Sequence, residues 1–243
     1  MRAQQDLGLS ISEKAIADYE KVITSVDLNS IDQREKITRH DVKARIEEFN
    51  ALAGHELIHS GMTSRDLTES VEAMQIRNSL LLVRDKAVAV LAKFGERSLQ
   101  YIDQPIAGRS HNVPAQVTTL GKRFASAAEE LLYAYERLTA LQDRYPMRGI
   151  KGPVGTAQDS IDLLGSTDAH AKLENTIAKE LGFNRVLDST GQIYPRSFDY
   201  DVVTTLVQLA SSPSSLATSI RLMAGAELVT EGFKAGQVGS SAM

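Results

Sequence analysis

Three short polar clusters hold the residues of this chain best suited to chemistry on an anion: Thr63-Ser64, Gly108-Arg109-Ser110-His111 and Gly239-Ser240-Ser241. Each falls where a long helical segment begins or ends. Helix N-termini and glycine-rich turns present free backbone N–H groups and positive partial charge, which suit carboxylates and phosphates. Arg39, Arg65, Arg109, Arg148, Lys151 and Arg196 supply basic side chains near these segments. An imidazole titrates near neutral pH, so His111 is a candidate for proton transfer. A polyanionic small molecule fits this pattern better than DNA does.

Each feature also has a plain structural reading. Thr63-Ser64 can serve only as a helix cap. His111 can be a hydrogen-bonding loop residue, and Ser240-Ser241 a flexible terminus. His40 can belong to the cap of a helix that starts near Asp41. His55 and His59 stand four apart with Glu56 after the first, as in a helical metal pair. Gly54 and Gly61 disturb that helix and the usual third ligand is lacking, so no metal is expected. His170 reads as an exposed helix residue.

Helices must position these groups. Good helix formers dominate the segment interiors, aromatics make up 5%, Trp is absent, and the six prolines sit mostly at segment edges. No period-2 strand, internal repeat or heptad array stands out. Helices are expected over residues 12–26, then from 32 or 40 to 53 with Gly54 as a stop, and over 64–103. In the last of these, Leu67, Val71, Met74, Leu81, Val88 and Leu91 keep mostly to one stripe. Residues 104–113 read as a loop, and Pro114 suits the first turn of another long helix, ending near Tyr145. A break at 146–155 precedes short helices at 156–164 and 167–181, an irregular stretch to Pro195, and a last helix over 197–232, kinked near Pro213. At about 1.5 Å per residue the third helix is roughly 55–60 Å long. Such a rod cannot bury its apolar stripe inside a compact globule, so an elongated bundle shared between subunits is expected.

The 243 residues are 42% hydrophobic and 24% charged, and 27 Lys+Arg against 31 Asp+Glu give a net charge of −4. That is ample for a core and argues against general affinity for nucleic acid or anionic membranes. The absence of cysteine excludes disulfide scaffolds, thiolate metal sites and cysteine nucleophiles. No apolar run reaches the ~18 residues of a membrane span, and the N-terminus lacks the apolar core of a signal peptide. A soluble, cytoplasmic protein is the default expectation.

The segment from Gly108 to Lys122, Gly-Arg-Ser-His-Asn-Val-Pro-Ala-Gln-Val-Thr-Thr-Leu-Gly-Lys, resembles the second signature of the fumarase/aspartase superfamily. Gly61-Met62-Thr63-Ser64-Arg65-Asp66 resembles the first signature, and Gly239-Ser240-Ser241-Ala242-Met243 the opening of the third. Three segments are similar to the superfamily branch that acts on succinylated purine nucleotides. They are Arg39-His40-Asp41-Val42, Lys151-Gly152-Pro153-Val154-Gly155-Thr156 and Thr190-Gly191-Gln192-Ile193-Tyr194-Pro195-Arg196.

The resemblance implies an all-α fold, an elongated long-helix bundle of the fumarase/aspartase type. It implies elimination of fumarate from a succinylated purine nucleotide, and from the succinylated carboxamide intermediate earlier in purine synthesis. No cofactor or metal is expected. Ser240 is then the base, His111 the general acid, and His40 orients or charge-balances the site. Arg39, Asp41, Thr63, Ser64, Gln192, Arg196 and Ser241 hold substrate. Ser110 stands where the family usually has Thr, with the hydroxyl retained. The family is a homotetramer with each site built from three chains. Its members are longer, so residues 1–64 are expected to be the remnant of an N-terminal helical domain and 65–243 an incomplete central bundle, with the C-terminal domain absent. Little activity is expected of this stretch alone. Two other readings stand: another fumarate-releasing lyase, such as argininosuccinate lyase, or a non-catalytic helical scaffold.

Overall fold

The computed structural model describes residues 1–230, 232 and 234–239. Among them lie nine helices and one hairpin. The helices are α1 (Arg2–Asp6), α2 (Glu13–Lys21), α3 (Leu28–Thr38), α4 (Asp41–Ala53), α5 (Ser64–Gln100), α6 (Leu120–Arg144), α7 (Gln158–Leu164), α8 (Thr167–Glu180) and α9 (Ser197–Gly225). The hairpin strands are β1 (Pro105–Ser110) and β2 (Val113–Thr119). The expected helical class holds, and α5 runs unbroken through 37 residues, about 55 Å. No helix among the described residues is long and apolar enough to cross a membrane.

The chain divides into two compact units, one of residues 1–79 with 143–198 and the other of residues 80–142 with 199–243. In the first unit, Ser12 caps α2 by accepting the Ala15 N–H, and Ala15, Ile16 and Tyr19 turn inward. The Tyr19 hydroxyl lies 2.5 Å from Asn50 Oδ1 and accepts the Leu57 N–H at 3.0 Å, which fastens the segment after α4. Gly54 ends α4 in the left-handed conformation, φ 73°, as its position after the last apolar residue predicts. The preceding helix was the less legible one. It starts at Leu28, capped by Asp27, and stops where Arg39 turns left-handed, φ 51°. The first predicted helix is also shorter than expected, ending at Lys21.

In the second unit, α6 buries Ala127, Leu131, Ala134, Leu138 and Leu141, and α9 buries Thr205, Leu209, Ser212, Leu216 and Met223. Both sets follow alternating steps of four and three, or their sum, the spacing of a narrow seam between helices. Ser212 donates to the Ala127 carbonyl at 2.6 Å, and Arg137 reaches Thr204 at 2.7 Å. These pairings run the two helices antiparallel. The polar members of the seam are satisfied, as burial demands. Pro213 lies inside α9 as predicted, but the helix ends at Gly225 rather than 232.

The expectation of a loop followed by a helix starting at Pro114 is overturned. Residues 105–119 form an antiparallel hairpin, so Pro114 lies in a strand and the next helix begins six residues later, at Leu120. Val113, Val117, Thr118 and Thr119 are β-formers, but the strand gives no amphipathic signal because Val117 is 81% exposed. Gly121, in the first turn of α6, lies so close to the end of α5 that a Cβ there would meet the Ser98 and Tyr101 carbonyls at 2.4 and 2.7 Å. Gly121→Ala is therefore expected to lower the thermal midpoint by several degrees, a cost of about 1–3 kcal/mol from overpacking; an unchanged melt would contradict this packing.

Candidate active site

In the first unit Thr63, Ser64, Gln192 and Arg196 gather around the N-terminus of α5. Asp66 is the third residue of the helix and is buried to 1% exposure. Its carboxylate accepts the Thr63 N–H at 2.8 Å, the reciprocal half of a capping box. The same carboxylate accepts the N–H groups of Lys151 and Gly152 at 2.9 and 3.1 Å, and pairs with Arg148. One turn on, the fully buried Glu69 accepts the Tyr194 N–H at 2.9 Å and lies 3.5 Å from both Arg65 and Arg196. Arg148 also donates to the carbonyls of Gly152 and Gly191, each at 3.0 Å.

Two acidic residues inside one helix turn thus gather the loops at 148–152 and 190–196 beside Thr63 and Ser64. Gln192 is exposed between the anchored Gly191 and Tyr194. Arg196 packs over the Tyr194 ring at 4.3 Å. Gly155 holds the two loops in close approach. It sits at φ 88°, and a Cβ there would meet the Thr190 carbonyl at 2.1 Å. Gly155→Ala should cost about 1–3 kcal/mol of stability and displace the Gln192 loop, checked by urea unfolding.

His40 is the N-cap of α4. Its Nδ1 accepts the Lys43 N–H at 3.2 Å and lies 3.6 Å from Asp41. Arg39, His40 and Asp41 are all exposed. The cap role and a substrate role are compatible, since only one ring nitrogen is used.

His55 and His59 do not act as a pair. His55 lies 3.1 Å from Asp18, and together with Lys21 it lowers the Asp18 carboxyl below its ordinary value. His59 turns to the backbone of Thr63, and its Nε2 is buried with no hydrogen-bond partner among the described residues. Burial is the main force pushing the His59 imidazole below its ordinary 6.5, with Thr63 and Asp66 opposing and Lys43 and His40 reinforcing. A neutral imidazole with an unmet nitrogen beside Thr63 is a group that reading by spacing missed. The available signal was its place two residues before Gly61, inside the run leading to Thr63. Its lowered value means that the unfolded chain takes up a proton first as pH falls through about 6.5. Stability is therefore full above that pH and declines below it. His59→Gln should flatten that acid decline in urea midpoints measured between about pH 7.5 and 5; parallel curves would contradict it.

His170 is buried rather than exposed, with Nδ1 3.0 Å from Ser160 Oγ and Nε2 3.5 Å from Glu174. Glu174 also binds Lys151 Nζ at 2.7 Å and the Ile150 N–H at 2.8 Å. Lys151 is thereby a buried strut rather than a free cation.

In the second unit His111 and Asn112 form the hairpin tip, at φ 51° and 63°. Two successive left-handed residues make the turn type that matches strand twist. Arg109 donates to the Asn112 carbonyl at 2.7 Å across the turn. The imidazole of His111 is exposed. Ser240 and Ser241 lie outside the described residues.

A family model described as a lyase matches residues 2–243. The chain belongs to this lyase family. Among its relatives, the adenylosuccinate lyase of Saccharomyces cerevisiae is 35% identical over 249 residues, covering 99% of the chain and 51% of the relative. That of Schizosaccharomyces pombe is 36% identical over 247 residues, with the same coverages. The chain spans about half the length of the curated relatives it matches. Among solved structures, a fumarate lyase from Mesorhizobium sp. BNC1 superposes with a TM-score of 0.79 at 25% identity, over 93% of this chain and 52% of that one. The β-carboxy-cis,cis-muconate cycloisomerase of Acinetobacter calcoaceticus gives 0.76 at 18% identity, over 91% and 52%, and shares the fold.

Proposed function

We propose that the chain belongs to an adenylosuccinate lyase, a cytoplasmic homotetramer that uses no metal or cofactor. It eliminates fumarate from adenylosuccinate and from the succinylated aminoimidazole carboxamide ribotide of purine synthesis. The observation that carries this reading is identity of 35–36% to two yeast adenylosuccinate lyases along 99% of the chain. The clustering of Thr63, Ser64, Gln192 and Arg196 around one ionic hub supports it.

In this reading Ser240 removes a proton from the succinyl carbon next to a carboxylate. A free serine is too weak a base, so its alkoxide must be stabilised, and a glycine-rich loop offers N–H donors for that. The carbanion spreads charge onto the carboxylate, near the positive end of α5 at Thr63-Ser64. The C–N bond breaks, and His111 gives its proton to the departing nitrogen. His40 balances charge, while Arg39, Asp41, Gln192, Arg196 and Ser241 hold the nucleotide.

The length of α5 supports a site shared between copies. Thr63 and Ser64 stand at one end of a rod about 55 Å long, and the His111 hairpin follows the other end. Apolar side chains left exposed on the second unit's helices, including Leu82, Val88, Leu132, Val203 and Val207, offer faces for other copies. Light scattering is expected to give an oligomer, and a monomer with α5 intact would contradict the shared site. Fumarate release from adenylosuccinate, followed by absorbance, tests the activity. Release from argininosuccinate instead would point to another lyase, and no release at all to a scaffold.

A further inference from the structure

The second unit contains a cavity of about 750 Å³ between the hairpin tip, the first turn of α6 and the last turns of α9. Its polar lining is cationic. Arg109 and His111 come from the hairpin, Arg123 from α6, and Arg221 from α9. No carboxylate lines it among the described residues. Arg109 is spent partly on the Asn112 carbonyl, but Arg123 and Arg221 make no ion pair among the described residues. Buried Met223 and the exposed Leu222 add apolar lining.

We propose that Arg123 and Arg221 form a subsite for a small dianion, held next to the His111 imidazole. Unpaired guanidinium groups converging on one cavity repel each other, and a bound dianion removes that repulsion. A guanidinium presents a planar fork that matches carboxylate or phosphate oxygens two at a time. The apolar lining gives the carbon skeleton of a dicarboxylate a surface to lie against. The lining is open to solvent, so binding is screened by salt. The inference deepens the proposed lyase reading. That reaction releases a dicarboxylate and leaves a phosphorylated nucleotide, either of which supplies the required charge.

The test is a titration of isotopically labelled protein with fumarate and, separately, with inorganic phosphate, at low ionic strength, following amide and arginine side-chain resonances. Saturable shifts at Arg123, Arg221 and the hairpin tip are expected. Arg123→Ala and Arg221→Ala should each weaken binding about tenfold, the loss of one charge-assisted donor group. Arg221→Lys should retain part of it, and Arg97→Ala all of it. Preference for fumarate identifies the carboxylate source, and preference for phosphate the nucleotide's phosphoryl group; both support the subsite. Absence of saturation with either anion, or unchanged binding in both alanine variants, overturns it. The readout needs no turnover. Binding without lyase activity would sink the enzyme reading and leave the subsite standing, and activity without binding would do the reverse.

Discussion

Replacing His111 by asparagine is expected to lower turnover of adenylosuccinate by about 10²–10⁴-fold, the usual worth of a general acid. The assay uses the chain extended by the flanking segments that its longer relatives carry, with fumarate release followed by absorbance. Asparagine is chosen because His111 sits at φ 51° in a two-residue turn. Asparagine tolerates that conformation, whereas alanine adds a backbone cost of about 1–2 kcal/mol. The imidazole is exposed. The thermal midpoint should therefore stay within about 2 °C of the parent, as for a surface substitution away from structural features. Loss of turnover at constant stability is the signature of a proton donor. Near-normal turnover would remove His111 from the mechanism, and a large drop in midpoint would make it a structural residue.

Arg148→Met is expected to cost about 3–5 kcal/mol of stability, because it strands the Asp66 carboxylate as a buried charge. Asp66 and Arg148 are each 1% exposed. Asp66 keeps three backbone N–H donors after the substitution, so the loss should fall short of full exposure of an unsolvated ion. Among the described residues Arg148 Nε has no partner even in the intact pair, which makes the arginine the costlier member to keep if Asp66 is removed. Pairing Arg148→Met with Asp66→Asn should therefore recover part of the loss in a double-mutant cycle. Strict additivity of the two would contradict direct coupling. Because this pair ties the loop at 148–152 to the cap of α5, the single variants should also weaken substrate binding through Thr63 and Gln192.

The long elements were legible because their periodicity is local. The run from Ser64 shows its apolar stripe and its acidic first turn, the Ser166 cap starts α8, and Gly54 and Gly165 stop α4 and α7. The hairpin at 105–119 was not legible. Its strands bury almost nothing, so no alternation of apolar and polar residues marks them, and Pro114 mimics a helix start. At the site, Thr63 and Ser64 were visible as a helix terminus. The partners that organise them were not, because Asp66 meets Arg148 and Glu69 meets Tyr194 across 82 and 125 residues. Asp66 and Glu69 read as ordinary first-turn acids until the fold brings buried donors to them. His170 was misread, and the partly buried His59 was passed over, for a shared reason: burial of an imidazole depends on which loop folds over it, and spacing along one helix carries no such information.

Subunit mixing tests most directly whether one site draws on several copies. His111→Asn and Ser64→Ala proteins, each inactive alone in the extended chain, would be combined under conditions that allow subunits to exchange, and fumarate release from adenylosuccinate measured. The account predicts that activity returns, because a mixed assembly contains sites in which an intact Ser64 from one copy meets an intact His111 from another. A mixture that exchanges subunits yet stays as inactive as its components would contradict it.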